Sequence, residues 1–200
     1  RRSPVRGLIQ NSAVSQTEFS DIKDLTDTPY AQRVLPSMVS EVMYKGRIYA
    51  IPSEVVGEAM WYNNGMLMDS GLELPGNWNE LLSISEKIKA AGILPFAAGF
   101  KEDWTIMRYT NAAFATLGYG REPDYEEKLI AGETDFDTQG WRETFDKLQV
   151  LVEREYFSKN ALSTDNAQAL GSFTQERAAM WLMGTWITAD IRNATDDDFE

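Results

Sequence analysis

The strongest constraint on the fold is the alternation, along the chain, of short apolar segments with segments of helical spacing. Residues 57–63, 93–99 and 178–183 have the length and composition of strands. Apolar residues spaced three and four apart predict helices near 78–91, 105–117 and 138–154. This alternation is typical of an α/β protein rather than of an all-β protein or a helix bundle. We therefore expect one α/β unit in which the three strands share a sheet.

Local signals predict further structure near the start of the chain and at the helix ends. Apolar spacing within 23–42 predicts a helix that begins at Thr26 or Asp27. Lys45 and Gly46 predict a hairpin turn that leads into a strand. The predicted helix N-caps further along the chain are Asn77, Asp137 or Thr138, and Asp165.

The composition excludes several classes of site. The chain has 200 residues and contains neither Cys nor His, which excludes a disulfide, a Cys/His zinc site and a Ser-His-Asp triad. Its formal net charge is −12, whereas a nucleic-acid backbone or an anionic membrane surface attracts a basic protein. No apolar run has the length needed to span a membrane. We expect no nucleic-acid partner, no membrane span, no cofactor and no metal.

Three loops are candidates for a ligand site because each is predicted to follow a strand. In α/β sheets, ligands bind at the carboxyl ends of strands, where loops lead into the next helix. The three loops are 53–58, 100–104 and 184–186, and each carries carboxylates, an indole or both. The candidate ligand-binding residues are Glu54, Glu102, Asp103, Trp104, Gly184, Thr185 and Trp186.

These residue types suit a carbohydrate ligand. A sugar ring presents a weakly apolar face of C–H groups and an edge of hydroxyls. Tryptophan covers such a face with a large, rigid and uncharged surface, and carboxylates accept strong hydrogen bonds from hydroxyls. Gly184 and Thr185 would add free backbone N–H groups at the start of a helix.

Most of these candidates also have a purely structural explanation. Trp186 could be the first apolar contact of its helix, and Trp104 could be a hydrophobic staple at a helix start. Glu102 and Asp103 could complement the positive end of a helix dipole. Trp181, inside the last predicted strand, is expected in the core.

Five segments resemble, in order and spacing, the family 1 extracellular solute-binding proteins, which are the maltose-binding-protein-like, sugar-binding components of ABC importers. They are YKGRIYAIPSEVVGEAMWYNNGML, SGLELPGNWNELLSISEKIKAAGILPFAAG, FKEDW, FDTQGWRETFDKLQVLVEREYF and LGSFTQERAAMWLMGTWITADI. Together the segments lie within residues 24–193, whereas residues 1–20 match no part of the family pattern.

The resemblance implies an α/β fold of the periplasmic-binding-protein-like (type II) class. Such proteins have two lobes joined by crossover segments, and the ligand binds between the lobes. Residues 1–53 would be the tail of the N-terminal lobe with the crossover. Residues 54–200 would be an incomplete C-terminal lobe, so we expect a fragment of a longer protein.

The same resemblance implies a function. It places Trp104 and Trp186 in the cleft, with Glu102 and Asp103 in the neighbouring loop. The protein would capture a sugar or oligosaccharide outside the cytoplasmic membrane, as a cell-surface lipoprotein or in a periplasm. It would deliver this carbohydrate ligand to the permease subunits of an ABC transporter, and it would not be an enzyme.

Two other classes stay open on the residues alone. A glycoside hydrolase needs two carboxylates that flank the scissile bond. Glu102 and Asp103 are adjacent and point to different sides, but Glu54 with Asp103 would be a possible pair. A structural or adhesive surface domain would show no saturable binding of a small ligand. Turnover of aryl-glycosides separates the enzyme from the binding protein.

Overall fold

The chain divides into two units. A computed structural model describes residues 22–52, 54, 56–195 and 199. The smaller unit contains the described residues up to Glu54 together with Pro123–Thr134, and the larger contains Val56–Glu122 and the described residues from Asp135 onward. The larger unit holds most of the candidate site residues.

Strands and helices alternate through the larger unit. The strands of the whole described chain are β1 Met43–Tyr44, β2 Arg47–Ile48, β3 Glu58–Tyr62, β4 Leu94–Phe96 and β5 Ala178–Gly184. The α-helices are α1 Val39–Val42, α2 Asn64–Asp69, α3 Trp78–Ala90, α4 Asp103–Phe114, α5 Tyr125–Ala131, α6 Gln139–Glu153, α7 Asn166–Thr174 and α8 Thr188–Ala194. Short 3₁₀ turns occur at Ala31–Arg33, Pro36–Met38, Ala161–Ser163 and Thr185–Ile187, and a π-helical turn extends α4 at Ala115–Tyr119.

One sheet contains the three predicted strands, in the order β3-β5-β4. Strand β4 runs parallel to β5, with Phe96 opposite Met180. Strand β3 runs antiparallel to β5, and its first residue, Glu58, lies opposite Gly184 at the end of β5. The start of β3 and the end of β5 therefore meet at one edge of the sheet. The prediction of a single shared sheet is confirmed.

The central strand β5 is buried along its whole length. Because side chains alternate between the faces of a strand, β5 serves two apolar clusters. Met180 and Leu182 pack with apolar residues of α3, α4 and α6. Trp181 and Met183 pack with apolar residues of α7 and α8. Trp181 is 1% exposed, which confirms its predicted place in the core.

Side-chain caps define where three of the longer helices begin. The side chains of Asn77, Thr138 and Asp165 each accept a hydrogen bond from a backbone N–H three residues further on. At Asp165 the bond is reciprocated by the Gln168 side chain, which makes a capping box. The predicted N-caps are confirmed, and Thr138 rather than Asp137 is the cap of α6.

The smaller unit corrects one prediction. Strands β1 and β2 form the predicted hairpin, with positive φ at both Lys45 and Gly46. The helix predicted within 23–42 is wrong, because that stretch contains two 3₁₀ turns and only the four-residue helix α1. Pro36 explains the break, since a residue before proline avoids helical backbone and Leu35 has a ψ of 135°.

Candidate functional site

The edge where β3 begins and β5 ends is closed by two reciprocal hydrogen bonds. The Gly57 N–H donates to the Thr185 hydroxyl at 3.1 Å. The Thr185 N–H donates to the Gly57 carbonyl at 2.8 Å. The sequence-based expectation of a free N–H at Thr185 is therefore wrong. The backbone of Thr185 holds the edge of the sheet together and has no N–H left for a ligand.

Two indoles lie side by side at this edge. Trp186 is in the turn that follows β5, and Trp104 is the second residue of α4. Their ring centroids are 6.3 Å apart and the ring planes are inclined by 52°. Each residue is 38% exposed, so both can contact a ligand while part of each ring is covered. The two predicted positions, partly exposed and close together, are confirmed.

The loop before Trp104 is held by contacts from the segment that precedes α7. The N–H of Phe100 donates to the Ala161 carbonyl at 2.8 Å, and that of Lys101 donates to the Thr164 carbonyl at 3.1 Å. The buried Thr105 hydroxyl donates to the Gly99 carbonyl at 2.6 Å. The start of α4, and with it the backbone of Trp104, is thus fixed against the rest of the unit.

The two neighbouring carboxylates have different surroundings. A Glu102 carboxylate oxygen accepts a hydrogen bond from the backbone N–H of Asn166 at 3.1 Å, which ties the start of α4 to the start of α7. Asp103 is exposed in the first turn of α4. Of the two residues, Asp103 therefore has the carboxylate that is better placed to accept hydrogen bonds from a ligand.

Gly184 has a steric role. It is buried at the end of β5, and a Cβ built on it would overlap the six-membered ring of Trp186. The indole therefore lies against the bare Cα of Gly184. The sequence predicted Gly184 as a source of a backbone N–H, but its lack of a side chain is what allows Trp186 to occupy this position.

Arg108 and Glu58 join this site; Glu58 lies in the candidate loop 53–58 but was not among the candidate ligand-binding residues, and sequence reasoning missed Arg108. Arg108 Nη1 donates to Glu58 Oε1 at 2.5 Å, and the two side chains are 19% and 25% exposed. Burial raises the pKa of the Glu58 carboxyl, and the charge of Arg108 opposes that rise. The available signal was the spacing, because Arg108 is four residues after Trp104 and shares its face of α4.

Comparison with known proteins identifies the family. The model of a family described as bacterial extracellular solute-binding protein matches residues 13–199.

The chain belongs to this family.

Individual relatives agree with that assignment. An uncharacterised ABC transporter extracellular-binding protein of Pyrococcus horikoshii is 27% identical over 179 residues, which are 88% of this chain and 41% of that protein. The multiple sugar-binding protein of Streptococcus mutans is 23% identical over 179 residues, which are 88% of this chain and 42% of that protein. This solute-binding chain thus spans less than half the length of both relatives.

A solved structure shows the same fold. The chain matches the structure of RafE of Streptococcus pneumoniae in complex with raffinose with a TM-score of 0.76 and 19% identity, over 98% of this chain and 55% of that one. The predicted α/β fold of the periplasmic-binding-protein-like (type II) class is confirmed. The family consists of extracellular solute-binding proteins rather than enzymes.

One candidate residue, Glu54, and two further tryptophans, Trp61 and Trp141, are not part of the indole pair. Glu54 belongs to the smaller unit and is exposed, so its part in the site stays a prediction. Trp61 donates from its ring N–H to the Met183 carbonyl at 3.2 Å. Trp141 stacks on Phe114 with centroids 3.9 Å apart. Both tryptophans therefore have the packing roles that their positions predict.

A separate cavity in the same unit has a mostly apolar lining. Its volume is about 590 Å³, and Met60, Trp78 and Leu148 are among the residues that line it. Lys147 is the one charged residue of that lining, and its ammonium lies 4.1 Å from the Trp78 ring centroid. The cavity therefore has no carboxylate among the described residues that line it, whereas the edge with the indole pair has Asp103 beside Trp104.

In the described part of the chain, no group of three or more acidic side chains could hold a metal ion. No helix in that part of the chain is both long enough and apolar enough to cross a bilayer.

Proposed function

We propose that the complete protein captures a sugar or oligosaccharide between two lobes and delivers it to the permease subunits of an ABC importer. The observation that carries this proposal is the pair of partly exposed indoles, Trp104 and Trp186, with centroids 6.3 Å apart at the sheet edge. Flat rigid rings at a water-exposed edge suit the C–H faces of sugar rings. The names of the relatives, a multiple sugar-binding protein and a raffinose complex, support the same ligand class.

In this proposal the polar groups around the indoles bind hydroxyls. Asp103 accepts hydrogen bonds from the hydroxyls, Glu102 ties the loop that carries Asp103 to the start of α7, and Gly184 with Thr185 keeps Trp186 in place. The charged residues described above at this edge are two basic ones, Lys101 and Arg108, and three acidic ones, Glu58, Glu102 and Asp103. A small acidic excess is compatible with an uncharged sugar and unfavourable for an anionic one.

The proposed lobes follow the sequence-based division, with residues 1–53 in the N-terminal lobe and 54–200 in the C-terminal lobe. The boundary between the two units, which lies between the described residues Glu54 and Val56, supports a division at this point. Pro123–Thr134 groups with the smaller unit and is not explained by the proposal. The location that fits the family is outside the cytoplasmic membrane, as a lipoprotein or in a periplasm.

We also propose that the protein is not a glycoside hydrolase. Two nearby carboxylates already have partners, because Glu102 accepts from Asn166 and Glu58 pairs with Arg108.

The test is a thermal-shift screen of the complete protein against mono- and oligosaccharides, followed by titration of each hit. A ligand at 100 times its Kd stabilises the folded state by about 2.7 kcal/mol. Trp186→Ala should reduce the shift, while Phe145→Ala, which removes an exposed aromatic ring outside the indole pair, should preserve it. Turnover of aryl-glycosides, or no binding across the panel, would overturn the proposal.

A further inference from the structure

One side chain contacts both residues of the indole pair, Trp104 at its backbone and Trp186 at its ring. Arg108 Nε donates to the backbone carbonyl of Trp104 at 3.1 Å. Its guanidinium carbon lies over the Trp186 ring, 5.8 Å from the ring centroid. The opposite end of the same guanidinium holds Glu58 at 2.5 Å. A single planar group therefore links the first turn of α4, the start of β3 and the turn after β5.

The geometry of arginine suits this position. Its planar fork directs several N–H groups at fixed angles and stacks on aromatic rings, whereas lysine presents a single compact charge. The ion pair with Glu58 is mostly shielded from water, at 19% and 25% side-chain exposure. Salt therefore screens it less than it screens a pair on the open surface. Arg108 is held firmly enough to restrain the groups that it contacts.

Restraint matters because a free indole at a surface has several rotamers. Binding a ligand to a mobile ring costs the entropy of ordering that ring, and a ring already ordered avoids this cost. The backbone of Trp186 is fixed by the bonds between Thr185 and Gly57, and its ring is bounded by Gly184, Trp104 and Arg108. Of these three, Arg108 is the one whose side chain is also bonded to a side chain of β3, that of Glu58.

We propose that Arg108 is a positioning residue that holds Trp186 and Trp104 in their mutual orientation before any ligand arrives, with Glu58 as its anchor. The role in ligand affinity rests on the proposed sugar-binding function. The orientation of the two rings does not depend on that function, and it can be measured in the chain without a ligand.

The measurement is the exciton coupling between the two indoles in circular dichroism. Close, inclined indoles give a paired band whose size depends on their distance and angle. Other tryptophans contribute as well, so the signal of interest is the difference between the chain and its Trp186→Phe variant. The same difference is then taken in an Arg108→Gln background. The control background is Arg142→Gln, which removes an exposed pair with Asp137 away from the indoles.

The expected result is loss of most of the difference signal in the Arg108→Gln and Glu58→Gln backgrounds and its retention in Arg142→Gln. Arg108→Lys, which keeps the charge and the stem but not the fork, should also lose it. In the complete protein, Arg108→Gln should weaken binding of the sugar found in the screen about tenfold, the scale of one cation–π contact with a buried partner.

Two results would overturn the proposal. The first is a full difference signal in the Arg108→Gln background or, if that variant does not fold, in the Arg108→Lys background. The second is a loss of the difference signal in the Arg142→Gln control that is as large as the loss in Arg108→Gln. A chain in which the signal depends on Arg108, but whose complete protein binds no sugar, supports the positioning role. That combination overturns only the sugar-binding function.

Discussion

The six-membered ring of Trp186 occupies the space that a Cβ on Gly184 would need. The bare Cα of Gly184 and the exposed indole are therefore two parts of one feature. Gly184 has a negative φ of −70°, a backbone conformation open to any residue. The requirement for glycine at this position is steric and comes from the ring.

Replacing Gly184 with Ala should displace Trp186 and weaken ligand binding. Overpacking at a buried site costs about 1–3 kcal/mol of unfolding free energy. The variant should show a shift in tryptophan fluorescence together with the lower affinity. Gly171→Ala, within α7, is the control, because a Cβ there meets only side-chain atoms of Gln175 and Arg177 at 3.8 Å or more, and alanine favours helix by about 0.5–1 kcal/mol. A Gly184→Ala variant with unchanged fluorescence and affinity would contradict the steric role.

Trp186 and Trp181 should respond in opposite ways to truncation. Trp186→Ala should weaken binding by about 1–3 kcal/mol, the scale of lost aromatic contact, and leave the fold nearly intact because the residue is 38% exposed. Trp181→Ala should cost about 3–5 kcal/mol of stability through a cavity in the core. Denaturant melts and titrations of both variants measure this. Unchanged affinity with a large loss of stability in Trp186→Ala would make Trp186 a core residue.

Glu102 and Asp103 should separate into a structural and a ligand-binding carboxylate. Glu102→Ala leaves the Asn166 N–H without its acceptor, and we expect a loss of about 1–2 kcal/mol of stability. Asp103→Ala should change stability by about 0.5 kcal/mol and lower ligand affinity. Melting and titration of the two variants side by side test this. Lower affinity without loss of stability in Glu102→Ala would assign the ligand contact to Glu102 instead.

Glu58 should make stability and ligand affinity depend on pH. Burial raises the pKa of its carboxyl above the ordinary value in the folded protein. The folded state then holds the proton more tightly than the unfolded state, so the contribution of Glu58 to unfolding free energy increases as pH falls through the raised pKa. Over the same window Arg108 loses its charged partner, and ligand affinity should fall. Urea unfolding and ligand titration of the wild type and of Glu58→Gln, each at several pH values across this window, measure both effects. If stability and affinity vary with pH in the same way in the two proteins, the prediction is contradicted.

Features set by neighbouring residues could be predicted from the sequence. Asn77, Thr138 and Asp165 cap helices through bonds that reach only three residues. Gly46 marks the hairpin turn because glycine readily adopts the positive φ observed there. Trp104 and Trp186 could be predicted at an exposed edge because each follows a buried strand. The helix predicted within 23–42 is wrong because the apolar spacing favours a helix that Pro36 interrupts. The effect of Pro36 on Leu35 is itself local and can be seen in the sequence.

Only the tertiary structure decided which groups meet at that edge. Glu58 and Arg108 are 50 residues apart, and Gly57 and Thr185 are 128 apart. In the sequence, any of the 31 acidic residues could have been the partner of a given base. The choice follows from the strand order β3-β5-β4 and from the antiparallel register that sets Glu58 opposite Gly184. That register depends on burying both faces of β5 at once, and no short stretch of the chain encodes this property of the whole sheet.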